Sequence, residues 1–210
     1  MISAAEAKKF YEGADSAHDW DHILRVVASA EKLARAEGGD IEVVRVAALL
    51  HDIARAEEDH GNESVDHADV SAEKARQLLL SKNASEAFAD QVAGAIRSHR
   101  FRGSRQPETL EARILFDADK LDAIGAIGVA RAYAVAGSLN QKLYSEADDS
   151  GCATRTQHDS NHTPVKEFTV KLAKLRDRFH TPTAKTMAEV RHAFMVEFFR
   201  ELEREVKEGM

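Results

Sequence analysis

Only one cysteine, Cys152, stands among the 210 residues, so no intramolecular disulfide is available and stability must come from packing. A cytoplasmic setting fits that count. Prolines number three and glycines eleven, so the residues that most often interrupt helices are scarce. No apolar run approaches the roughly 18 residues that a membrane span requires. The opening stretch MISAAEAKKFYEGADS lacks the apolar core of a signal peptide, so no targeting segment is expected there. Positive charge is also in deficit. The formal net charge of −7 disfavours general nucleic-acid binding, which needs a basic face. It leaves room for a local basic patch over a small anionic substrate.

What the chain has is helix-forming material. Hydrophobic residues make up 43% and charged residues 31%, with alanine, leucine, glutamate and arginine plentiful. A short amphipathic helix is expected up to about Glu12. Ser16 followed by Asp19 reads as a capping-box variant. After it, Ile23, Val26, Val27, Ala30, Leu33 and Ala34 keep one helical face apolar. Gly38-Gly39 stops that helix and Asp40 caps the next, which the pattern carries from Ile41 past Asp52 to Ala56. Residues 57–66 read as a polar loop. Helices are then expected over 65–80, over 85–99 and from about Glu108, the last continuing through 123–136. There Gly125 and Gly128 either permit close helix contact or are merely tolerated. The stretch 145–163 is polar and reads as a long loop or insertion. Helix resumes over 165–179. Thr181-Pro182 opens a last helix, in which Val190, Phe194, Phe198, Leu202 and Val206 line up at i, i+4. With no repeat and no alternating strand, the expected fold class is all-α. One domain is expected over 1–210, with a core of about 18–136, the insertion at about 145–163 and C-terminal helices over about 165–207.

One stretch joins this scaffold to chemistry. Val46-Ala47-Ala48-Leu49-Leu50 is apolar and ends in His51-Asp52. Burying the run carries an imidazole and a carboxylate inside, where an unpartnered polar group costs roughly 2–7 kcal/mol. A metal ion satisfies both at once. His18-Asp19 and His158-Asp159 repeat the dipeptide without the apolar run. His22, on the first turn of its helix, and Asp119, between Leu115/Phe116 and Leu121, are the other candidate ligands. Two imidazoles and two carboxylates suit Mn, Fe, Co, Ni, Mg or Zn. His67 and His99 are further candidates, each also readable as a structural core histidine.

The ordered series His22, His51-Asp52, His67, His99, Asp119 resembles the HD-domain metal-dependent phosphohydrolase superfamily, whose core pattern is H…HD…D. The surrounding text strengthens the likeness. HDWDH followed by Arg25-Val26, then AALLHDIA, then DADKLDAIGAIGVAR, is similar to a subfamily of small bacterial and archaeal HD hydrolases. That subfamily includes a nucleoside triphosphate pyrophosphohydrolase. The stretch from EFTVKLAKLRDRF to VRHAFMVEFFRELE is similar to its C-terminal helices. The resemblance implies a helical HD-domain fold and His22, His51, Asp52 and Asp119 as ligands of a divalent metal ion. It implies a second-metal or phosphate role for His67 and His99, hence one ion or two. Stringent-response hydrolases of this superfamily carry acidic residues shortly after the HD pair. Here Ile53, Ala54 and Arg55 stand there, which argues against hydrolysis of guanosine tetraphosphate by that arrangement.

A bound divalent ion lowers the pKa of its water and polarises a phosphoryl oxygen. Guanidinium groups match phosphate oxygens. Arg97, Arg100, Arg102 and Arg105 cluster around His99, and Arg55, Lys120 and Arg131 lie near the motifs. Each is also readable as a solvated charge; Arg97, Arg100, Lys120 and Arg55 are the phosphate candidates. Asp122 is a candidate acid–base residue or a helix-surface carboxylate. The leading expectation is a phosphohydrolase acting on a phosphoanhydride or phosphoester of a small nucleotide, by attack of a metal-activated water. The alternatives are a non-catalytic nucleotide-binding regulatory module and a protein that the metal merely stabilises. Homo-oligomerisation is open.

Overall fold

A computed structural model of the chain describes residues 2–12, 19–55, 66–100, 105–145 and 162–209. Residues 57–65 of the expected loop, residues 101–104 with Arg102, Ser16, His18 and most of the insertion, with Cys152 and His158-Asp159, lie outside them. Among the described residues every regular element is helical, and the fold is all-α. The chain forms two compact units.

The first unit comprises Met1–Lys120 and His180–Ala184. Helix α1 (Ala4–Lys8) starts on a complete capping box, Ser3 with Glu6, and runs into a 3-10 turn at Lys9–Tyr11. Helix α2 (Trp20–Glu37) buries His22, Ile23, Val26, Ala30, Leu33 and Ala34, the expected face. Its cap is Asp19 itself, whose carboxylate accepts from the His22 amide at 3.0 Å. Gly38 ends the helix at φ +80, a left-handed conformation that glycine adopts without strain. Asp40 then caps α3 (Ile41–Leu50) by accepting from Glu42 and Val43 amides. Helix α3 is apolar nearly all round, and seven of its ten residues are buried.

The expected passage of α3 through Asp52 to Ala56 is corrected: the helix ends at Leu50. Hydrogen bonds there shorten to i, i+3, Ile53 to Leu50 and Arg55 to Asp52, and 51–54 form a turn. Helices α4 (His67–Ser81) and α5 (Glu86–Arg97) are capped by Asp66 and Ser85. They pack on each other and on α3. Helix α6 (Leu110–Asp122) reaches back to the α2–α3 turn, where Glu111 accepts from the Asp40 amide at 3.2 Å.

The second unit comprises Leu121–Phe179 and Lys185–Met210. The expected helical continuation after Asp122 is interrupted: α7 (Gly125–Ser138) starts after a break at Ala123–Ile124. Gly125 has φ +76, and an added Cβ would stand 2.9 Å from Arg191 Cγ, so this glycine is required rather than tolerated. The helix expected over 165–179 is irregular: α8 (Pro164–Glu167), a π turn (Phe168–Leu172), α9 (Ala173–Leu175) and a 3-10 turn (Arg176–Arg178). Helix α10 (Pro182–Glu208) closes the described chain. Its expected apolar stripe is also corrected. Val190 is 71% exposed and Phe194 48%, while Ala184, Ala188, Met195 and Phe199 are buried. An i, i+4 line drifts about 40° per step around a 3.6-residue helix, so five such residues cannot share one face.

Candidate metal centre

The six candidate ligands all lie in the first unit and are all buried. Local chemistry aims each one. The Asp19 cap fixes the first turn of α2, and with it His22. The last turn of α3 presents free carbonyls, as every helix end does. His51 Nδ1 donates to one of them, Ala48 O, at 2.8 Å, which leaves Nε2 as the bare lone pair. His99 repeats the device two residues beyond α5, with Nδ1 on Ile96 O at 2.6 Å. His67 opens α4, and Asp119 stands near the end of α6.

These elements bring the side chains together. His22, His51 and Asp119 offer donor atoms within 4.8 Å of one another, and so do His51, Asp52 and His99. His22 Nε2 is 3.7 Å from Asp119 Oδ1, and His51 Nε2 is 3.5 Å from Asp52 Oδ2. Asp52 Oδ1 is 3.4 Å from both His67 Nε2 and His99 Nε2. The rings meet edge to face, His51 with His22 and with His99, and His67 with His99.

The site fits a cation. His51 Nε2 and Asp52 Oδ1 are fully buried and make no hydrogen bond among the described residues. Leaving such groups unmade costs about 1–3 kcal/mol each, more for a charged one. Burial pushes the His51 imidazole below its usual pKa, toward the neutral ligating form, while the Asp52 and Asp119 charges oppose that shift. Burial acts to raise the Asp52 carboxyl, but the imidazoles of His51, His67 and His99 outweigh it and hold it well below the usual range. Burial likewise opposes the ionised form of Asp119, and the Lys120 ammonium and nearby imidazoles overcome it. Carboxylate oxygens and imidazole nitrogens thus turn their lone pairs toward a common point, a ligand set suited to a divalent ion.

The basic candidates are engaged with acids. Arg100 is 3.1 Å from Asp66, Arg97 is 3.4 Å from Asp69, and Arg105 also pairs with Asp69. Lys120 Nζ meets Asp119 Oδ2 at 2.5 Å and lies over the Phe116 ring. Arg55 follows the turn after Asp52. Asp122 belongs to the second unit, where Arg131 donates to its carboxylate at 3.0 Å.

Two contributors escape sequence reasoning. Ser71, fully buried on α4, accepts the Ala54 amide at 3.1 Å and so holds the turn that follows His51-Asp52. Tyr11 donates to Leu49 O at 2.9 Å. Neither carries a signal in sequence, since a serine on a helix and a tyrosine in a short N-terminal segment are ordinary residues.

The chain belongs to the HD domain family, whose model matches residues 19–124. That span includes all six buried ligand candidates. YpgQ of Bacillus subtilis is 32% identical over 195 residues, covering 91% of this chain and 85% of that protein. The crystal structure of B. subtilis YpgQ in complex with ADP superposes with a TM-score of 0.73 at 31% identity, covering 97% of this chain and 98% of that one. An HD-superfamily hydrolase from Bacillus thuringiensis gives a TM-score of 0.74 at 30% identity, over 97% and 94% of the two chains. A predicted HD superfamily hydrolase from an uncultured Thermotogales bacterium gives 0.67 at 32%, over 96% and 90%. Among the described residues no helix is long and apolar enough to cross a membrane.

Proposed function

We propose that this protein is a metal-dependent phosphohydrolase that cleaves a phosphoanhydride or phosphoester of a small nucleotide. The observation that carries the reading is the pair of fully buried, unsatisfied donor atoms, His51 Nε2 and Asp52 Oδ1, inside a ring of imidazoles and carboxylates. His22, His51, Asp52 and Asp119 are the proposed ligands. His67 and His99 serve a second ion or a substrate phosphate. A divalent ion there would supply an acidified water and a Lewis acid for a phosphoryl oxygen.

The chain's own residues do the rest. The Nδ1–H bonds of His51 and His99 to backbone carbonyls fix the tautomer that leaves Nε2 open. Burial strengthens every charge interaction in the site. Lys120, Arg55, Arg97 and Arg100 are the proposed phosphate contacts. Arg97 and Arg100 are steered by Asp69 and Asp66. Asp122 is the proposed acid–base residue. The nucleotide class is supported by the ADP in the YpgQ crystal and the hydrolase class by the HD-superfamily hydrolases of like structure.

The test is turnover by protein loaded in turn with Mn, Co, Fe, Ni or Mg. Nucleoside triphosphates, monophosphates and cyclic dinucleotides are the substrates, with released phosphate and pyrophosphate as the readout. Hydrolysis lost in His51→Ala is expected. Nucleotide binding without turnover, unchanged in His51→Ala, would replace this reading with a regulatory module.

A further inference from the structure

The N-terminal arm is absent from the site just described, yet it is built against it. Its start is fixed by the Ser3–Glu6 capping box, and Glu6 also pairs with Lys82 at the end of α4, at 2.6 Å. Ile2 and Ala7 are buried. The arm delivers Tyr11, 7% exposed, to a point between two chain segments. Its hydroxyl donates to Leu49 O, two residues before His51. Its ring lies 5.9 Å from Trp20, two residues before His22.

We propose that Tyr11 is a positioning residue for the metal centre, tying the segment that carries His22 to the turn that carries His51. The inference rests on the metal reading above for its functional consequence. Its physical basis is the C-terminal turn of α3. Ala48 O and Leu49 O are consecutive carbonyls at a helix end, where intrahelical donors run out. The first is taken by the ring of His51 and the second by Tyr11. The two bonds share one turn of backbone, so displacing Leu49 O displaces the anchor of the His51 ring. Contact with Trp20 refers that anchor to the first turn of α2. Lys82 and Glu6 hold the arm that supplies the tyrosine, while the hydroxyl sets the register.

Tyr11→Phe keeps the ring and removes the donor. In the metal-free protein, the side-chain nitrogen signals of His51 and His22 are expected to move in Tyr11→Phe, while those of His192 stay in place. Affinity for Mn2+, measured by competition with a chromogenic chelator, is expected to fall about tenfold, the lower end for outer-shell partners of metal ligands. Val92→Ala, a cavity variant on the buried face of α5, serves as the stability control. It is expected to lower the melting temperature while leaving the His51 and His22 signals and the Mn2+ affinity at wild-type values. Wild-type affinity and unmoved imidazole signals in Tyr11→Phe would overturn the inference. So would equal changes in Val92→Ala. If the wild-type protein binds no Mn2+, the metal reading falls, and the imidazole signals alone then decide whether Tyr11 positions the two rings.

Discussion

Among the described residues, two buried histidine–carboxylate groupings are finished differently. In the second unit, His162 Nε2 meets Glu167 Oε2 at 2.9 Å, and Lys171 Nζ meets the other oxygen at 2.7 Å. Both carboxylate oxygens are used by the protein itself. In the first unit, Asp52 is surrounded by three imidazoles, yet its Oδ1 and the Nε2 of His51 make no hydrogen bond among the described residues. The residue types are alike. A closed grouping has spent its lone pairs on holding the fold, whereas an open one keeps them for something brought in from outside. Burial alone therefore does not mark a site; burial with unsatisfied lone pairs does.

Variants can break this contrast. The largest effect is expected at the open grouping. Asp52→Ala should lower divalent-ion affinity by more than about 100-fold, beyond the range for outer-shell partners. Chelation should then lower the melting temperature of the wild-type protein and leave that of Asp52→Ala unchanged. Equal chelator sensitivity in both proteins would show that the ion binds elsewhere.

At the closed grouping the effect should fall on stability. Glu167→Ala strands His162 and Lys171 and is expected to cost about 2–3 kcal/mol in denaturant unfolding. That is less than the figure for a wholly buried pair, because Lys171 is partly exposed. Its metal affinity should match wild type, and a loss of affinity would erase the distinction between the groupings.

The pH dependence of Glu167 sharpens the point. Burial acts to raise its carboxyl, but the Lys171 ammonium and the His162 bond together place it below the ordinary value of 4.5. A lowered folded-state pKa contributes stability above the unfolded value and loses it as pH falls through the folded one. The stability gap between wild type and Glu167→Gln should therefore be full at neutral pH and narrow as pH drops below about 4.5. A gap independent of pH would mean that the ionised form carries no advantage.

The smallest effect is expected at the surface. Glu31, a half-buried side chain, pairs with the exposed Arg35 at 2.8 Å and the exposed Arg45 at 2.5 Å. Glu31→Ala should cost no more than about 1 kcal/mol, shrinking further in high salt. A larger, salt-insensitive cost would put this pair in a class with Glu167.

Much of the scaffold was legible in the chain because its signals are local. The spacing of Ile23, Val26, Ala30 and Leu33 drew the buried face of α2, and Asp40 capped α3 as expected. Gly38 ended α2 for a reason visible in one residue, its freedom to adopt a positive φ. The pattern ran α3 on to Ala56 because apolar periodicity does not register a turn whose polar groups bond to distant partners such as Ser71. On α10 residues spaced in fours do not stay on one face, because a 3.6-residue helix rotates them away over 17 residues.

The all-helical fold and the His51-Asp52 pair are readable from the chain alone, because helix propensity, capping and an apolar run ending in two polar residues are properties of contiguous chain, whereas His22 and Asp119 are set beside that pair by the resemblance to the H…HD…D pattern. Tertiary packing is needed to place His67 and His99 against the same Asp52 oxygen, to pair Arg97 with Asp69 and Arg100 with Asp66, and to bring the Tyr11 hydroxyl to Leu49 O. Those contacts join residues that sequence periodicity cannot relate. They exist because α3, α4 and α5 pack their apolar faces together and carry their polar ends to one place.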